Sequence, residues 1–369
     1  MRIDRLFLEN FRSYDSLQLE FSGGASVFFG ENAQGKTNLL EAVGFMSRAK
    51  AFRTPRDGEL VRFGSPYAFL KAEIFSEGRE QTIAARIPEK GRKSLQLNGV
   101  ALKTAASLSG VFRTVLFAPE DLSLLKDGAA ARRRFMDGLF CQLRPRYLSA
   151  LSEYQRALER KSRILRDADG SPAMLSMLSE YNTHLARCGA AVISYRARFL
   201  ARLLPMASRL HGEISGFREE MEAKYITDRY VENPLADERE IGAGLSSHLE
   251  DRRRAETEAR LCLVGPHRDD IEVLIGGKPA RAFGSQGQTR TAALALKLSE
   301  RELHVADGGE IPVLLLDDVL SELDGGRREF VLSRITDGQV IITTCEKSEN
   351  FENATYYSVA NSQIEIKKS

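Results

Sequence analysis

Two stretches near the start of the chain alternate between apolar and polar side chains, as strands with one buried face do. The alternation covers residues 2–8 and 16–29, and the chain becomes continuously apolar from residue 25 until it stops at Gly30. Such a run predicts a buried strand that leads into a glycine-rich turn. Residues 68–100 contain further strand-like stretches, with Asn98 and Gly99 as a two-residue hairpin turn. We therefore expect an antiparallel layer beside the first strands.

The pattern changes from about residue 119 to residue 260, where glycines become rare and apolar residues recur every three or four positions. This spacing is typical of helices with one buried face, and two such series are Tyr147, Leu151, Tyr154, Leu158 and Tyr195, Phe199, Leu203. The pattern predicts a helical lobe inserted into an α/β domain. After Cys262 strand patterns return, and they end in two strongly apolar runs at residues 311–316 and 340–344.

Basic charge is concentrated within this helical stretch. Between Ala131 and Asp167 ten Lys or Arg residues face three acids, a net charge of +7. The whole chain carries 53 Lys and Arg against 51 Asp and Glu, for a formal charge of +2. The total charge therefore neither supports nor excludes a nucleic-acid partner, because the distribution of charge decides that question.

Composition excludes several classes of protein. With 369 residues, 43% hydrophobic and 28% charged, the chain has room for two or three folded domains and is neither disordered, collagen-like nor a disulfide scaffold. The four cysteines lie too far apart for a Cys-x-x-Cys pair and suggest free thiols in a reducing compartment. No window approaches the roughly 18 apolar residues of a membrane span, and an acid near the start disfavours a secretory signal. We expect a cytoplasmic protein with no membrane partner.

A phosphate-binding loop follows the apolar strand that ends at Gly30. Residues 30–37 fit the pattern G-x-x-x-x-G-K-[ST], and a helical stretch follows them. Glycines let the backbone wrap a phosphate at the positive end of that helix. We expect Lys36 to neutralise the β and γ phosphates of a nucleotide and the Thr37 hydroxyl to bind Mg²⁺. The alternative is an ordinary glycine-rich turn with a solvated lysine.

Two further segments complement this loop. The apolar residues 313–316 end in Asp317 and Asp318, as in P-loop enzymes where a strand-end acid holds Mg²⁺. We assign that role to Asp317, and Asp318 could polarise the attacking water. Residues 285–290 precede an amphipathic helix over residues 292–304, and a serine, a glycine N–H and a helix N-terminus form a second phosphate-binding device. We expect it to address a γ phosphate held by another copy, although a simple helix cap is the alternative.

Taken together, these segments resemble the RecF family of recombination and gap-repair ATPases, whose head is of the ABC and SMC type. The matching segments follow the family's order over almost the whole chain, at residues 9–14, 30–41, 117–122, 132–137, 265–271, 285–290 and 314–324. The Ser-Gln-Gly-Gln signature and the Leu-Leu-Leu-Asp-Asp-Val-Leu-Ser-Glu-Leu-Asp form of the Walker B motif are more specific than the phosphate loop.

The resemblance implies an α/β fold, an ABC-type P-loop ATPase head with an antiparallel β layer and an inserted helical lobe. It places the N-terminal half of the head with Walker A at residues 1–115 and a basic lobe for DNA or partner contact at residues 116–261. The C-terminal half, with the signature, Walker B and the D-loop, is expected at residues 262–369.

The resemblance also implies a function. The protein would dimerise on ATP with Mg²⁺, bind double-stranded DNA and the junctions of single- and double-stranded DNA at gaps, and release DNA by slow, DNA-stimulated hydrolysis. Its expected partners are RecR, RecO and RecA, in recombinational repair, replication restart and the SOS response.

The family's roles carry over to matching positions of this chain. The resemblance assigns catalysis to Lys36, Asp317 and Asp318, and Mg²⁺ binding to Thr37 and Asp317. The residues that it places at ATP are Arg12, Gly30, Glu31, Asn32, Ala33, Gln34, Gly35, Lys36, Thr37, Asn38, Ser285, Gly287, Gln288 and Asp324.

Two departures from the wider ABC pattern predict slow turnover. Asp318 occupies the position of the usual catalytic glutamate, and no histidine follows His304, so the switch histidine after the strand that ends near Thr344 is missing. Weak orientation of water slows phosphoryl transfer, which depends on positioning. We therefore interpret ATP as a timer on a DNA-bound dimer.

The candidate DNA contacts are arginines and a lysine of the basic lobe, since such binding needs an array of cations. They are Arg132, Arg133, Arg134, Arg156, Arg160 and Lys161. The alternative is a solvated helix face with local ion pairs. His267 lacks a set of neighbouring ligands in the sequence, so a structural turn is favoured there over a metal or acid–base role.

Three other functions stay open at this point. An ABC-type ATPase subunit of a membrane transporter would share the phosphate loop, signature and Walker B, although the basic insertion and the missing histidine weigh against it. An ATPase with nuclease activity would need an acidic metal-binding domain, for which no room remains after Leu323. An architectural protein would bind ATP without hydrolysing it.

Overall fold

The structure is a computed structural model that describes residues 1–54, 56–167, 172–345 and 354–367, and no side chain is described at residues 172–175. The chain divides into two compact units, one formed by Met1–Leu122 with Glu300–Ser369 and the other by Ser123–Ser299. The boundaries predicted from the sequence, at residues 115 and 261, divide the chain by function and not by compactness. They stay a prediction.

The first unit begins with an antiparallel sheet. Its elements are β1 (Arg2–Phe11), β2 (Tyr14–Glu20), β3 (Ala25–Phe29), α1 (Lys36–Arg48), β4 (Tyr67–Ser76), β5 (Arg79–Pro88), β6 (Ser94–Leu97), β7 (Val100–Ala101) and β8 (Thr114–Phe117). Six of these strands form one sheet in the order β2-β1-β4-β5-β6-β7. Asn98 and Gly99 join β6 to β7, and both have positive φ, as the expected two-residue hairpin requires. The antiparallel layer is thus confirmed.

The second unit is mainly helical. Its elements are α2 (Ala129–Leu143), α3 (Pro145–Asp167), α4 (Pro172–Ser215), β9 (Met221–Ile226), α5 (Glu238–Asp251), α6 (Arg253–Ala259), β10 (Asp270–Ile275), β11 (Lys278–Pro279) and α7 (Ala280–Phe283), and α8 (Gln286–Gly308) begins there. The stripe on α3 is buried at Tyr147, Leu151 and Tyr154, which confirms the predicted helix face. The strand β9, which the helical pattern did not predict, pairs antiparallel with β10 in a three-stranded sheet.

The remainder of the first unit completes a second, mostly parallel sheet. It contains β12 (Val313–Asp317), α9 (Gly325–Arg334), β13 (Val340–Thr344), β14 (Thr355–Ala360) and β15 (Gln363–Lys367). The strand order is β15-β14-β3-β13-β12-β8, and all neighbours except β14 and β15 run parallel. The two apolar runs near the C-terminus are therefore neighbouring strands, β12 and β13. Short 3₁₀ turns lie at Asp57–Leu60, Ala105–Leu108, Pro119–Ser123, Pro266–Arg268 and Leu320–Glu322.

The core of the first unit joins both sheets through α1. Leu39, Val43 and Phe45 of this helix are fully buried in one cluster with residues of both sheets. Parallel strands end at the same edge of a sheet, and ligands of such sheets bind outside that edge. The loop after β3 and the acids at the end of β12 therefore lie at the same edge, on either side of the end of β13.

Candidate nucleotide site

The loop between β3 and α1 wraps as a phosphate site requires. Gly30, Ala33 and Gly35 have φ values of 154°, 64° and 111°, so the backbone turns through the left-handed region. A Cβ on Gly30 would lie 2.2 Å from the carbonyl oxygen of Val359, which leaves room for glycine alone. Among the described residues no side chain caps the start of α1 at Gly35, so its first N–H groups remain available to an anion.

Lys36 lies across this loop. Its Nζ donates to the carbonyl oxygens of Gly30 at 2.5 Å and Glu31 at 2.7 Å. The opposite side of the loop is tied to the turn between β14 and β15, where Gln34 Oε1 accepts a hydrogen bond from Asn361 N over 2.5 Å. Asn38 Nδ2 donates to Ser13 Oγ over 2.9 Å. Carbonyl groups at the edge of the expected phosphate position thus already hold the Lys36 ammonium.

Thr37 and Asp317 meet at the edge of the parallel sheet. The Thr37 hydroxyl donates to Asp317 Oδ1 over 2.9 Å, and Thr343 Oγ1 donates to the same oxygen over 2.8 Å. Burial raises the pKa of Asp317, while the two hydroxyl groups act in the opposite direction. Hydroxyl and carboxylate oxygens are the ligands that Mg²⁺ prefers. The donor set therefore fits the magnesium ion that the fold implies, and the role of Thr37 and Asp317 as its ligands stays a prediction.

Asp318 is oriented by its surroundings on both sides of its carboxylate. Its φ is 51°, which is uncommon for a residue with a side chain. Its N–H donates to the carbonyl oxygen of Thr343 over 3.1 Å, and Ser321 Oγ donates to the carbonyl oxygen of Asp318 over 2.6 Å. Cys345 Sγ lies 3.3 Å from its Oδ2. Cys345 is not among the site residues predicted from the sequence. The signal that could have indicated its role is its position directly after an apolar strand.

Arg12 is fixed against α1. Its guanidinium makes two hydrogen bonds to the carboxylate of Glu41, at 2.9 and 3.2 Å, and a third to the carbonyl oxygen of Glu59. Glu41 is fully buried, so this cation compensates a charge that would otherwise be costly to bury. Arg12 therefore lies one helix turn beyond the phosphate loop, and its contact with a nucleotide stays a prediction.

Asp324 begins α9. Its carboxylate accepts a hydrogen bond from the N–H of Arg327 over 3.0 Å and pairs with the Arg327 guanidinium. These contacts, the backbone N–H first, lower the pKa of Asp324. The predicted D-loop residue is therefore an ionised helix cap at the surface of the unit.

The signature segment forms the first turn of α8 in the second unit. The Ser285 hydroxyl accepts from Gln288 N at 3.2 Å, and Gln288 Oε1 accepts from Ser285 N at 2.8 Å. This reciprocal pair is a capping box, so the helix begins at Gln286, six residues earlier than predicted. Gln288 Nε2 also donates to Glu219 Oε1 over 2.9 Å. The cap is present, whereas the nucleotide roles of Ser285, Gly287 and Gln288 stay predictions.

Two of the expected DNA contacts are corrected by the structure. Arg132 is 3% exposed and pairs with both oxygens of Asp270, and Lys161 is fully buried against Glu256. Buried cations that pair with acids of distant segments cannot reach a DNA phosphate. Arg133 is half-buried and donates to the carbonyl oxygen of Asp269, whereas the exposed members of the set are Arg134, Arg156 and Arg160.

His267 is engaged on both ring nitrogens. Tyr154 Oη lies 2.6 Å from Nδ1, and the carbonyl oxygen of Cys262 lies 3.1 Å from Nε2. Burial lowers the pKa of His267 to about 4, and the neighbouring cation of Arg268 acts in the same direction. This neutral imidazole, which is hydrogen-bonded at both ring nitrogens, suits a structural role in the turn.

A second group of metal-binding side chains occurs on α3 and α4. Glu153, His184 and Cys188 present ligand atoms within 4.8 Å of one another. Arg187 Nη2 lies 2.8 Å from the Glu153 carboxylate and 3.2 Å from His184 Nδ1. The cluster thus already contains a cation that would repel a metal ion.

Comparisons with known proteins agree with this geometry. The family model "RecF/RecN/SMC N terminal domain" matches residues 2–368. The DNA replication and repair protein RecF of Agathobacter rectalis is 37% identical over 373 residues, 99% of each chain, and that of Symbiobacterium thermophilum is 38% identical over 95% of this chain and 92% of the relative. A solved structure of the recombination mediator protein RecF with ATP has a TM-score of 0.92 and 33% identity, covering 99% of this chain and 97% of the other.

The fold and site define an ATPase head of the ABC and SMC type. An SMC head bound to the C-terminal winged-helix domain of ScpA shares this fold, with a TM-score of 0.55 and 18% identity over 99% of this chain and 97% of the other. The chain belongs to the RecF family within the RecF/RecN/SMC group. Within the described parts of the chain, no helix combines the length and apolar character that crossing a bilayer would demand.

Proposed function

We propose that this protein is an ATP-dependent DNA-binding protein of recombinational repair and replication restart. The observation that carries the proposal is the contact of Thr37 with Asp317 beside a phosphate loop already spanned by Lys36. Relatives named as DNA replication and repair proteins support the process, and a related protein solved with ATP supports the nucleotide. We expect the protein to act on DNA in the cytoplasm.

The chemistry follows from the placement of each group. The N–H groups at the start of α1 and the Lys36 ammonium bind the nucleotide phosphates. They stabilise the negative charge of the phosphates during phosphoryl transfer. Magnesium, held by Thr37 and Asp317, supplies further neutralisation of phosphate charge. Asp318 accepts a hydrogen bond from the attacking water and orients it. An aspartate reaches less far than a glutamate, so we expect slow hydrolysis.

The signature supplies the link between two copies. The first turn of α8 presents the Ser285 hydroxyl and the N–H end of a long helix, both of which suit a γ phosphate. A single nucleotide does not need two such helix N-termini from the same subunit. ATP would therefore join two protomers, and hydrolysis would release the dimer from DNA.

The exposed arginines of the second unit provide the DNA contact. Arg134, Arg156 and Arg160 remain after Arg132 and Lys161 are withdrawn. We expect binding to double-stranded DNA and to the junctions of single- and double-stranded DNA at gaps. The partners in this proposal are RecR, RecO and RecA, with a link to the SOS response. No observation favours the transporter alternative, since the relatives are replication and repair proteins.

The test is steady-state ATP hydrolysis with Mg²⁺, with and without a gapped DNA duplex. We expect slow turnover that DNA stimulates, and Asp317→Asn should reduce it by about a hundredfold because the carboxylate that fits Mg²⁺ loses its charge. Asp15→Asn, which neutralises an exposed acid of the same unit, is the matched control. Binding of ATP with no turnover in the parent protein would instead favour the architectural alternative.

A further inference from the structure

The end of β13 supplies a partner to each of the two acids at the end of β12, Asp317 within the strand and Asp318 directly after it. Thr343 Oγ1 donates to Asp317 Oδ1 over 2.8 Å, and two positions later Cys345 Sγ donates to Asp318 Oδ2 at 3.3 Å. Asp317 is the predicted ligand of the metal and Asp318 the predicted partner of water. The two carboxylates are therefore held by one segment of chain.

The thiol of Cys345 donates to Oδ2 of the Asp318 carboxylate. Ser321 Oγ lies 3.3 Å from Oδ1, but its single proton is donated to the carbonyl oxygen of Asp318 over 2.6 Å. The backbone of Asp318 is left-handed, with a φ of 51°. Removing the thiol would remove its hydrogen bond to Oδ2 and would allow the carboxylate to rotate.

The same thiol also reaches the phosphate loop. Cys345 Sγ lies 3.0 Å from Asn32 Oδ1, and Asn32 is an exposed residue between Gly30 and Lys36. A thiol has one proton, so it can serve only one of these two acceptors at a time. A change in the position of Asn32 therefore changes the partner available to Asp318.

We propose that Cys345 is a positioning residue that orients Asp318 and connects it to the phosphate loop. It stands directly after β13, the place at which the missing switch histidine would be expected. This inference rests on the proposed ATP hydrolysis, because it concerns the residue that orients the water. The thiol contacts side chains of Asp318 and Asn32, so we expect its loss to lower turnover and to leave ATP affinity intact.

The experiment compares Cys345→Ala and Cys345→Ser in the full chain. For Cys345→Ala we expect kcat to fall about three- to tenfold, the effect of one hydrogen bond, with KM for ATP within about twofold of the parent. For Cys345→Ser we expect kcat within about twofold of the parent, because a hydroxyl donates where the thiol did. Cys141→Ala, at a half-buried thiol of the second unit, should leave kcat unchanged.

Three outcomes would overturn the inference. They are an unchanged kcat in Cys345→Ala, a serine variant as slow as the alanine variant, and an equal loss in Cys141→Ala. ATP affinity measured by calorimetry separates this inference from the proposed function. A parent protein without turnover would contradict the proposed hydrolysis itself, whereas an active parent with an unaffected Cys345→Ala would contradict only the role of the thiol.

Discussion

The hydroxyl of Thr37 donates a hydrogen bond to the carboxylate of Asp317 over 2.9 Å, although 280 positions of sequence separate the two residues. The contact is a product of the parallel sheet, in which β13 lies between β3 and β12. The carboxyl ends of these strands place the phosphate loop and the acids side by side. Nucleotide binding should therefore depend on both segments, and each can be tested separately.

Lys36→Ala should lose ATP binding and ATP-dependent dimerisation together. The ammonium spans the loop through Gly30 and Glu31, and a charged hydrogen bond to phosphate contributes about 1.5–3 kcal/mol. We expect affinity to fall by about ten- to a hundredfold in isothermal titration calorimetry. Lys103→Ala, which removes an exposed lysine of the same unit, should bind as the parent does. An unchanged affinity in Lys36→Ala would contradict the phosphate-loop assignment.

Ser285→Arg should separate nucleotide binding from dimerisation. The substitution places a long cation at the first turn of α8 and removes half of the capping box with Gln288. Each monomer should still bind ATP, while sedimentation velocity should show no dimer with a non-hydrolysable analogue. Ser149→Arg carries the same change to an exposed position of α3 and should dimerise normally. A dimer of Ser285→Arg at the parent's concentration dependence would rule out the role between copies.

The combined change Arg156→Ala and Arg160→Ala should weaken DNA binding and reduce its salt dependence. Both arginines are exposed on α3, and each phosphate contact adds about 0.9 to the slope of log affinity against log salt. We expect the slope to fall in magnitude by about 1 to 2 in titrations over several salt concentrations. Arg239→Ala with Arg254→Ala, an exposed pair on α5 and α6, is the control. Equal slopes for the parent and the α3 variant would move the DNA contact to another surface.

The free energy of unfolding should fall as pH falls from 6.5 towards 4, in part because of His267. Burial lowers its pKa to about 4 in the folded state. The unfolded histidine binds a proton below about pH 6.5. Between these values the unfolded state holds more protons, so stability decreases with decreasing pH.

His267→Gln should remove about 2 kcal/mol of this pH dependence between pH 6.5 and 5. The chain has no tryptophan, so urea unfolding is followed by circular dichroism. His184→Gln, at a more exposed histidine, is the matched control. A His267→Gln curve parallel to the parent's would contradict the buried, neutral imidazole.

Local residue patterns predict some parts of the site from the sequence alone. The glycines of the phosphate loop and the apolar run before Asp317 each have a spacing that follows from backbone geometry. The hairpin at Asn98 and Gly99 is of the same kind. The contact of Asp317 with Thr37 could be inferred only because a parallel sheet brings strand ends to one edge.

The parts that the sequence did not predict depend on contacts between distant segments. Arg132 and Lys161 belong to a basic stretch, but their buried partners Asp270 and Glu256 lie 138 and 95 positions away. Net charge cannot show which cations are paired. β9 is only six residues long inside a helical region, so its alternation was outweighed by the helical period around it.

The most direct measurement is fluorescence anisotropy of a labelled gapped duplex, titrated with protein at one near-physiological salt concentration. One series contains Mg²⁺ and ATP, and the other contains no nucleotide. If the nucleotide site and the DNA surface act together, binding should be clearly tighter with ATP, and Lys36→Ala should abolish the difference. Equal binding in both series, or no binding in either, would contradict an ATP-dependent DNA-binding protein.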